Sequence, residues 1–381
     1  MSIPLSNYRR PGATVMVSAA AALLLAGCAG SQSSTLPGQG LPSAQHFNAA
    51  PACREVAQGK ARCLAIIESR SGISRSVAGW GPADFQARYK LPSGTKGAGQ
   101  IVAIVDAYDN PNVASDLATY RSEFGLGSAS FTKYNQEGQT SNYPTGDTSW
   151  GTESDLDAQM VSATCPLCTI YLVEANSSSS SDIAIAEKEA VTLGAHIVTN
   201  SWACTPAPSC VSQRAFEHKN VIYLAATGDS GSGDVGAPAA FGSVAAIGGT
   251  TLSKNGSQYS EVIWDDSSGG CQTREKKPKW QHDDVCPHRA VADASAVANG
   301  VAEYDTYGNG GWFTVGGTSV AAPLLAGVFG LAGNAARQDG GRTFWQTKHH
   351  KHLYDVCGGS CLFSTYSYPG GWGSPNGIAA F

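Results

Sequence analysis

The sequence predicts an α/β protein with a parallel sheet flanked by helices and with loops tied by disulfides. From Gly99 onward, short apolar runs alternate with helix-like segments, which is typical of a parallel sheet covered by helices. Several of these runs end in Gly, Asp or Ser, and in open α/β sheets the carboxyl ends of strands are where sites form. The chain has 11 cysteines, and those that follow Cys28 form an even set that suits a disulfide framework.

The apolar runs locate the individual elements. We expect strands at residues 100–107, 169–173, 195–199, 221–226 and 243–247. Helices are expected between them, at residues 112–124, 153–164 and 181–193. The second half is less regular, and residues 267–288, which are dense in Gly, Lys, Asp and Cys, are expected to form a surface loop tied by a disulfide.

Composition and charge exclude several classes of protein. Of the 381 residues, 42% are hydrophobic and 14% are charged, which indicates a globular chain rather than a disordered one. The formal net charge is −5, and it becomes −7 without residues 1–27, because the loss of Arg9 and Arg10 leaves 23 basic against 30 acidic residues. Nucleic acid is therefore not an expected partner.

The N-terminus has the pattern of an export signal. Arg9 and Arg10 precede a small and apolar run at residues 13–25, which is too short for an ordinary membrane span. The run leads into Leu-Ala-Gly-Cys at residues 25–28, which resembles a bacterial lipobox and would place a lipid on Cys28. The alternative is an ordinary signal peptide with an incidental cysteine. We expect an exported protein, either a lipoprotein of the cell envelope or a secreted one, whose membrane contact is limited to this anchor.

These patterns divide the chain into four segments. Residues 1–27 are expected to be the export signal, and residues 28–52, which are rich in Ser, Gly, Pro, Gln and Ala, a flexible tether. Residues 53–78 are expected to form a short N-terminal extension, and residues 79–381 the folded domain. We expect this domain to be monomeric.

The spacing of the cysteines suggests pairs that are close in sequence. We expect bridges between Cys53 and Cys63, Cys165 and Cys168, Cys204 and Cys210, Cys271 and Cys286, and Cys357 and Cys361. Cys165 and Cys168 could instead form a redox or zinc motif. That alternative is disfavoured because no second Cys/His pair has zinc-finger spacing and the helix context of a redox site is missing.

A serine motif near the C-terminal end predicts a nucleophile. Residues 316–323 read Gly-Gly-Thr-Ser-Val-Ala-Ala-Pro and precede an apolar run, which places Ser319 near the start of a helix. Glycines let the backbone approach a substrate closely, and the positive field at a helix N-terminus stabilises a developing oxyanion. Ser319 could then attack a carbonyl carbon. The alternative is that the Thr/Ser/Gly cluster only caps the helix.

A serine nucleophile needs a base, and none of the eight histidines lies in a motif that would supply one. Glu153 and Asp157 are four residues apart, so they share one face of a helix, whereas Asp155 points elsewhere. Like charges on adjacent turns repel, so this pair favours sharing a proton, as carboxylate dyads do. The alternative is an exposed acidic first turn that complements the helix dipole.

A further carboxylate lies at a predicted strand end. Asp229 follows the run at residues 221–226, within Ala-Thr-Gly-Asp-Ser-Gly, where a site at the mouth of a sheet is expected. A carboxylic acid that keeps its proton can donate a hydrogen bond to an oxyanion, as a backbone amide does. The alternative is a turn aspartate.

Together these motifs resemble the sedolisin family of serine-carboxyl peptidases over residues 79–381. The resemblance rests on Gly-Pro-Ala-Asp at residues 81–84, Val-Ala-Ile-Val-Asp-Ala-Tyr at 102–108, the Glu-x-x-x-Asp helix, Thr-Gly-Asp at 227–229, Gly-Gly-Thr-Thr-Leu at 248–252 and the Ser319 motif. In this order and spacing the combination is highly specific.

The resemblance implies a subtilisin-like fold and an acid-active serine-type endopeptidase that cleaves proteins or peptides. It implies a nucleophile at Ser319, a base at Glu153, an orienting carboxylate at Asp157 and an oxyanion-stabilising acid at Asp229. No cofactor is required for this chemistry. Asp106 occupies the place of the subtilisin aspartate, and without a histidine to hold it we interpret it as structural.

Two features depart from the family pattern. Only about fifty residues, with little apolar material, separate Cys28 from the start of the resemblance, so we do not expect zymogen control by a long folded prosegment. The family's calcium loop keeps Asp355 and Val356, but Tyr366 is followed by Ser367 where the family has an aspartate. A hydroxyl supplies no negative charge, so Ca²⁺ binding at Asp355 and Val356 is expected to be weak or lost.

Two other classes of function compete with a peptidase. A non-catalytic protein of the envelope that binds peptides would predict the loss of a catalytic residue, and none of the residues above is lost. A glycoside hydrolase built on Glu153 and Asp157 would need no serine motif, so the segment around Ser319 counts against it.

Overall fold

The computed structural model of the chain describes residues 49–70, 77–207 and 209–381. The predicted export signal, the lipidation site at Cys28 and residues 28–48 of the predicted tether lie outside these residues. Within them, no helix is both long and apolar enough to cross a membrane.

The described residues form six α-helices and 18 β-strands, together with three short 3₁₀ turns. The helices are α1 (Pro82–Tyr89), α2 (Val113–Glu123), α3 (Thr148–Thr164), α4 (Ser180–Thr192), α5 (Thr318–Ala332) and α6 (Thr347–His350). The strands are β1 (Ala50–Pro51), β2 (Arg62–Cys63), β3 (Ile66–Arg70), β4 (Ile101–Ala107), β5 (Ser130–Asn135), β6 (Thr169–Ala175), β7 (Ile197–Asn200), β8 (Trp202–Ala203), β9 (Ile222–Ala226), β10 (Val244–Asn255), β11 (Gln258–Ile263), β12 (Gly270–Lys276), β13 (His288–Val291), β14 (Ala294–Val297), β15 (Val301–Asp305), β16 (Gly311–Gly316), β17 (Leu353–Tyr354) and β18 (Ser374–Pro375).

The centre of the fold is an eight-stranded sheet with the order β11-β10-β9-β7-β4-β6-β5, in which β14 also pairs with β10. Its neighbouring strands are parallel except β11, which is antiparallel to β10. Strands covered on both faces must be apolar along most of their length, as Ile-Val-Ala-Ile-Val in β4 is. Helices α3 and α5 pack against each other, and α5 lies against β7, β9, β10 and β14. The predicted α/β class with a parallel sheet flanked by helices is confirmed.

The predicted central strands and helices are found, and the largest shift in a helix end is at α3. This helix begins at Thr148 because the Asp147 side chain accepts hydrogen bonds from the amides of Ser149 and Trp150, at 2.9 and 3.0 Å. Glu153 therefore lies in the second turn of the helix, and it is buried. The alternative of an exposed acidic first turn is wrong.

The disulfides tie loops and strands as the cysteine spacing predicted. All five expected bridges are present. The region expected to be a surface loop, residues 267–288, is in part regular: β12 and β13 form an antiparallel pair, which the Cys271–Cys286 bridge joins.

The end of the predicted tether, which contains β1, and the N-terminal extension lie against the domain predicted at residues 79–381. Strands β1 and β3 extend the antiparallel pair β15 and β16 into a four-stranded sheet. The short strand β2 pairs with β8, which follows the central strand β7. Because of these pairings, residues 64–65, which form the segment between β2 and β3, lie across the carboxyl end of the central sheet.

Candidate active site

The predicted nucleophile lies at the start of α5, where the carboxyl ends of the parallel strands meet. Ser319 is the second residue of α5 and is buried. Gly317 caps the helix with φ 114°, a conformation that residues with a side chain rarely adopt. The Ser319 hydroxyl donates a hydrogen bond of 3.2 Å to the backbone carbonyl of Ser201, the residue after β7. The start of α5 and the end of β7 thus jointly position the Ser319 hydroxyl.

Glu153 and Asp157 project from α3 towards this serine. Both carboxyl groups are buried. Asp157 Oδ1 accepts a hydrogen bond of 2.7 Å from the Ser201 hydroxyl. One oxygen of each carboxyl group, Oε1 of Glu153 and Oδ2 of Asp157, has no hydrogen-bond partner within the described part of the chain. Ser201 therefore connects the nucleophile to the carboxyl pair through its carbonyl and its hydroxyl.

Burial makes it costly for both members of the pair to be ionised at once. It raises the pKa of Glu153 well above its usual range, and the charge of Asp106 raises it further, whereas the interaction with Ser319 lowers it. Burial, Asp106 and Glu153, in that order, also raise the pKa of Asp157. The pair thus retains a proton in conditions where an exposed carboxylate would have lost it.

Asp229 follows β9 and reaches the same helix start. Its Oδ1 accepts hydrogen bonds from the amide and the hydroxyl of Thr318, at 2.7 and 2.9 Å. Its Oδ2 lies beside Gly317, since a Cβ added there would be 3.2 Å from this oxygen. Burial raises the pKa of Asp229 to about 7, against the lowering effect of Thr318 and of the Arg62 charge. Below neutrality this group is a carboxylic acid with a proton to donate.

Asp106, which we interpreted as structural, lies among these carboxyl groups. It is buried in β4, and neither of its oxygens has a hydrogen-bond partner among the described residues. Burial raises its pKa to about 8, and its charge raises the pKa of both Glu153 and Asp157. Its carboxyl group makes no hydrogen bond that would hold two elements together, so it acts on the pair Glu153 and Asp157 through its charge.

The segment between β2 and β3 covers the site, and sequence reasoning missed it. The backbone amides of Leu64 and Ala65 donate to Oε2 of Glu153 at 2.9 and 2.8 Å. The Leu64 amide also lies 3.1 Å from the Ser201 carbonyl. The available signal was the apolar run Leu-Ala-Ile-Ile directly after Cys63, in an extension that is otherwise polar.

The arrangement of the serine, the carboxyl groups and the parallel sheet has counterparts in known proteins. The sequence model of the subtilase family (peptidase S8) matches residues 138–354, which is more than half of the chain. The chain belongs to the subtilase family.

Among curated subtilases and their relatives, the chain is similar to kumamolisin from Bacillus sp. (strain MN-32), with 29% identity over 321 residues, 73% of this chain and 56% of kumamolisin. It is 24% identical to sedolisin from Pseudomonas sp. (strain 101) over 354 residues, 78% of this chain and 60% of sedolisin. The chain thus spans little more than half the length of these relatives. The resemblance to the sedolisin family is confirmed.

The subtilase fold is also evident from a solved structure. That structure is Pseudomonas sedolisin, a serine-carboxyl proteinase complexed with two molecules of pseudo-iodotyrostatin. It aligns with a TM-score of 0.68 and 23% identity, over 79% of this chain and 96% of that one. The subtilisin-like fold is thereby confirmed.

The residues of the degraded calcium loop do not fit a calcium ion in this subtilase. Asp355 Oδ1 accepts the amide of Cys357 at 2.9 Å, and the Val356 carbonyl accepts the amide of Ile263 at 3.1 Å. Asp355 lies close to the sulfur atoms of Cys357 and Cys361, but these are bridged and offer no thiolate. One carboxylate and one engaged carbonyl fall short of the six to eight oxygens, approximately, that Ca²⁺ takes.

Asp155 points away from Glu153 and Asp157, as predicted. It lies with Asp116 and Asp305 in a buried group whose carboxyl oxygens are within 4.8 Å of one another. Asp155 Oδ2 accepts a hydrogen bond of 2.7 Å from Asn110. This group lies on the other side of α3, towards α2 and β15.

Proposed function

We propose that this chain is an acid-active serine-carboxyl endopeptidase that hydrolyses peptide bonds of proteins. The observation that carries the proposal is the convergence of Ser319, the buried pair Glu153 and Asp157, and Asp229, whose pKa is raised by burial, at one helix start. No histidine is needed in this arrangement, because the buried carboxyl pair holds and releases the proton.

In the proposed reaction, Ser319 Oγ attacks the carbonyl carbon of the substrate and its proton passes to Glu153. Asp157 shares that proton and keeps Glu153 oriented. The oxygen of the tetrahedral intermediate accepts a hydrogen bond from the protonated Asp229. Glu153 then returns the proton to the leaving amine. A water molecule, deprotonated by Glu153, releases the acyl group from Ser319.

The acidic optimum follows from the proton on Asp229. As the pH rises through about 7, this carboxyl group ionises and would repel the oxyanion instead of stabilising it. The pKa values of the buried pair are raised in the same direction, so its shared proton is also held in acid. Activity should therefore be greatest below neutrality.

The remaining assignments are part of the same proposal. The substrates are proteins or peptides, with no nucleic acid partner and no cofactor for the chemistry. The protein is monomeric and exported, as an envelope lipoprotein anchored at Cys28 or in secreted form. The geometry of Asp355 and Val356 supports the proposal that Ca²⁺ binds weakly or not at all.

A digest of a denatured protein, analysed by mass spectrometry, tests the function. We expect the wild-type chain to produce internal peptides at about pH 4, where carboxyl groups keep protons. The Ser319→Ala variant should produce none. A wild-type chain that yields no peptides at any acidic pH would reject the proposed function.

A further inference from the structure

A cavity of about 700 Å³ lies apart from the candidate active site. The loop after β12 and the segment from the turn at residues 340–343 to α6 form its walls. This turn lies against the amino end of β10, because a Cβ added to Gly340 would clash with the Ser243 carbonyl oxygen, whereas Ser319 lies where the parallel strands end. The volume is in the range of small-molecule sites, and the concave shape differs from a flat protein interface.

Two tryptophan rings line this cavity, and a buried ion pair fixes their positions. The ring centroids of Trp280 and Trp345 are 6.0 Å apart. The indole nitrogen of Trp345 donates to Asp293 Oδ1 at 2.9 Å, and the same oxygen accepts a hydrogen bond from Arg289 Nη1 at 2.8 Å. The Arg289 guanidinium also lies 5.2 Å from the centroid of the Trp280 ring. A flat apolar surface is therefore in place before any ligand binds, which lowers the entropy cost of binding.

The rim of the cavity is positively charged. Lys279, Arg342 and Lys348 line it, and all three residues are exposed. Of the residues that the structure describes, none that lines the cavity is acidic, and none forms an ion pair with either lysine. Arg342 pairs with Asp339 at 3.2 Å, but both side chains are more than half exposed, so solvent weakens this pair. Three positive charges thus meet in one concave place on a chain whose formal net charge is −5.

The combination of three cations and a fixed aromatic surface favours one class of ligand. A phosphate monoester carries a charge of about −1.5 to −2 near neutral pH and has three oxygens that accept hydrogen bonds. The planar guanidinium of an arginine binds two such oxygens at once, and each lysine adds a point charge. A single carboxylate would offer less charge to the same three cations. A ring attached to the phosphate would cover the indole surface, which a free phosphate ion would leave in water.

We propose that this cavity binds a phosphate monoester that carries a ring, either a sugar phosphate or an aryl phosphate. The ring packs against the accessible part of Trp280, and Lys279, Arg342 and Lys348 donate hydrogen bonds to the phosphate oxygens. Trp345 supports the ring of Trp280 from within the fold. The inference goes beyond the proposed peptidase activity and does not rest on it, because none of these side chains belongs to the candidate active site.

Isothermal titration calorimetry of the full chain at about pH 7 tests the inference, with phenyl phosphate and glucose 6-phosphate as probes. We expect saturable binding of at least one probe, and the tighter one identifies the ring that the cavity takes. Inorganic phosphate, phenol and glucose should each bind about tenfold more weakly or worse, because each lacks one half of the proposed contacts. The inference is overturned if neither probe binds saturably, or if any of these three compounds binds as tightly as the better probe.

A double variant, Lys279→Ala with Lys348→Ala, tests the position of the site. We expect its affinity for the better probe to fall by about tenfold or more, because each lysine makes a charge-assisted hydrogen bond. The fold should persist, since both residues are exposed. The matched control, Lys276→Ala with Lys351→Ala, removes the same charge from two exposed positions that do not line the cavity, and it should bind like the wild type. Equal affinities of the two double variants would place the binding elsewhere and overturn the inference, whatever the peptide digest shows.

Discussion

At the scale of single residues, the proposed mechanism depends on three side chains that exchange one proton. We expect Ser319→Ala, Glu153→Ala and Asp157→Ala each to lower kcat/KM by about 10³-fold or more, because the three act as one unit. Each variant should stay folded. Ser154→Ala is the matched control, since its hydroxyl bonds only to backbone carbonyls of the same helix. Turnover by Ser319→Ala comparable with the wild type would remove the serine from the mechanism.

In the proposed mechanism, the ionisation of the Asp229 side chain sets the upper limit of the pH profile. Its pKa is raised to about 7, so the donating form is complete well below that value and disappears as the pH rises through it. We expect wild-type kcat/KM to fall in that range. Asp229→Asn should be less active in acid but lose less activity on going to neutral pH, because an amide donates without titrating.

The matched control for this prediction is Asp266→Asn, which removes an exposed carboxylate that acts on Asp229 only through its charge. Its pH profile should nearly coincide with that of the wild type. A wild-type optimum above neutrality would contradict the role of Asp229.

The sequence was enough to name the side chains that meet at the start of α5, but not their full surroundings. Ser319, Glu153, Asp157 and Asp229 were named because each lies in a motif with a chemical reason for its spacing. The structural role of Asp106 stays a prediction, but the carboxyl groups that it faces on α3 could not be foreseen from its neighbours in the chain.

At the scale of elements, the hydrophobic pattern of the sequence located the central strands. Hydrogen bonds at the helix caps determine where the neighbouring helices begin and end. The start of α3 was missed because Asp147 is one of several polar residues in a row, and only the hydrogen bonds show which of them caps the helix. Strand β2 could not be predicted at all. It has two residues, and its partner β8 lies far away in sequence, so no local pattern marks it.

The cap of α3 gives a prediction at the same scale. Asp147→Ala should lower the free energy of unfolding by about 1 kcal/mol, because two amides lose their acceptor. Asp147→Asn should be nearly neutral, since asparagine caps as well as aspartate does. Chemical denaturation at fixed pH measures both. Equal stability of Asp147→Ala and the wild type would show that the cap is dispensable.

At the scale of the whole molecule, buried carboxyl groups make stability depend on pH. Burial raises the pKa of Asp106 to about 8 and that of Glu174 to about 9, and it raises those of Glu187 and Glu303 as well. The folded state therefore binds more protons than the unfolded state between the unfolded pKa, near 4, and these values. The contribution of these groups to the free energy of unfolding is complete in acid and is lost as the pH rises through this window.

We expect Tm to fall by about 5 °C or more between pH 4 and pH 8, approximately, as measured by calorimetry. Asp106→Asn should reduce that fall, because an amide of the same shape does not have to ionise in a buried position. It should retain most activity in acid, where Asp106 is itself uncharged. A Tm that rises towards alkaline pH would contradict the direction of these pKa shifts.

Calcium provides another test on the whole molecule. The carboxylate that the loop lacks at Ser367 leaves too few ligands, so millimolar Ca²⁺ should change Tm by less than about 1 °C relative to chelator. Mg²⁺ at the same concentration controls for ionic strength. A clear rise with Ca²⁺ alone would mean that a working site exists.

The sequence separations of the five disulfide bridges determine how far their effect on the molecule reaches. Each bridge joins cysteines 3 to 15 residues apart, so each closes a short loop and none links distant parts of the chain. A short closed loop restricts the unfolded chain less than a long one does. Reduction should therefore loosen individual loops, whereas the central sheet and helices α3 and α5, which contain none of these cysteines, should keep their packing.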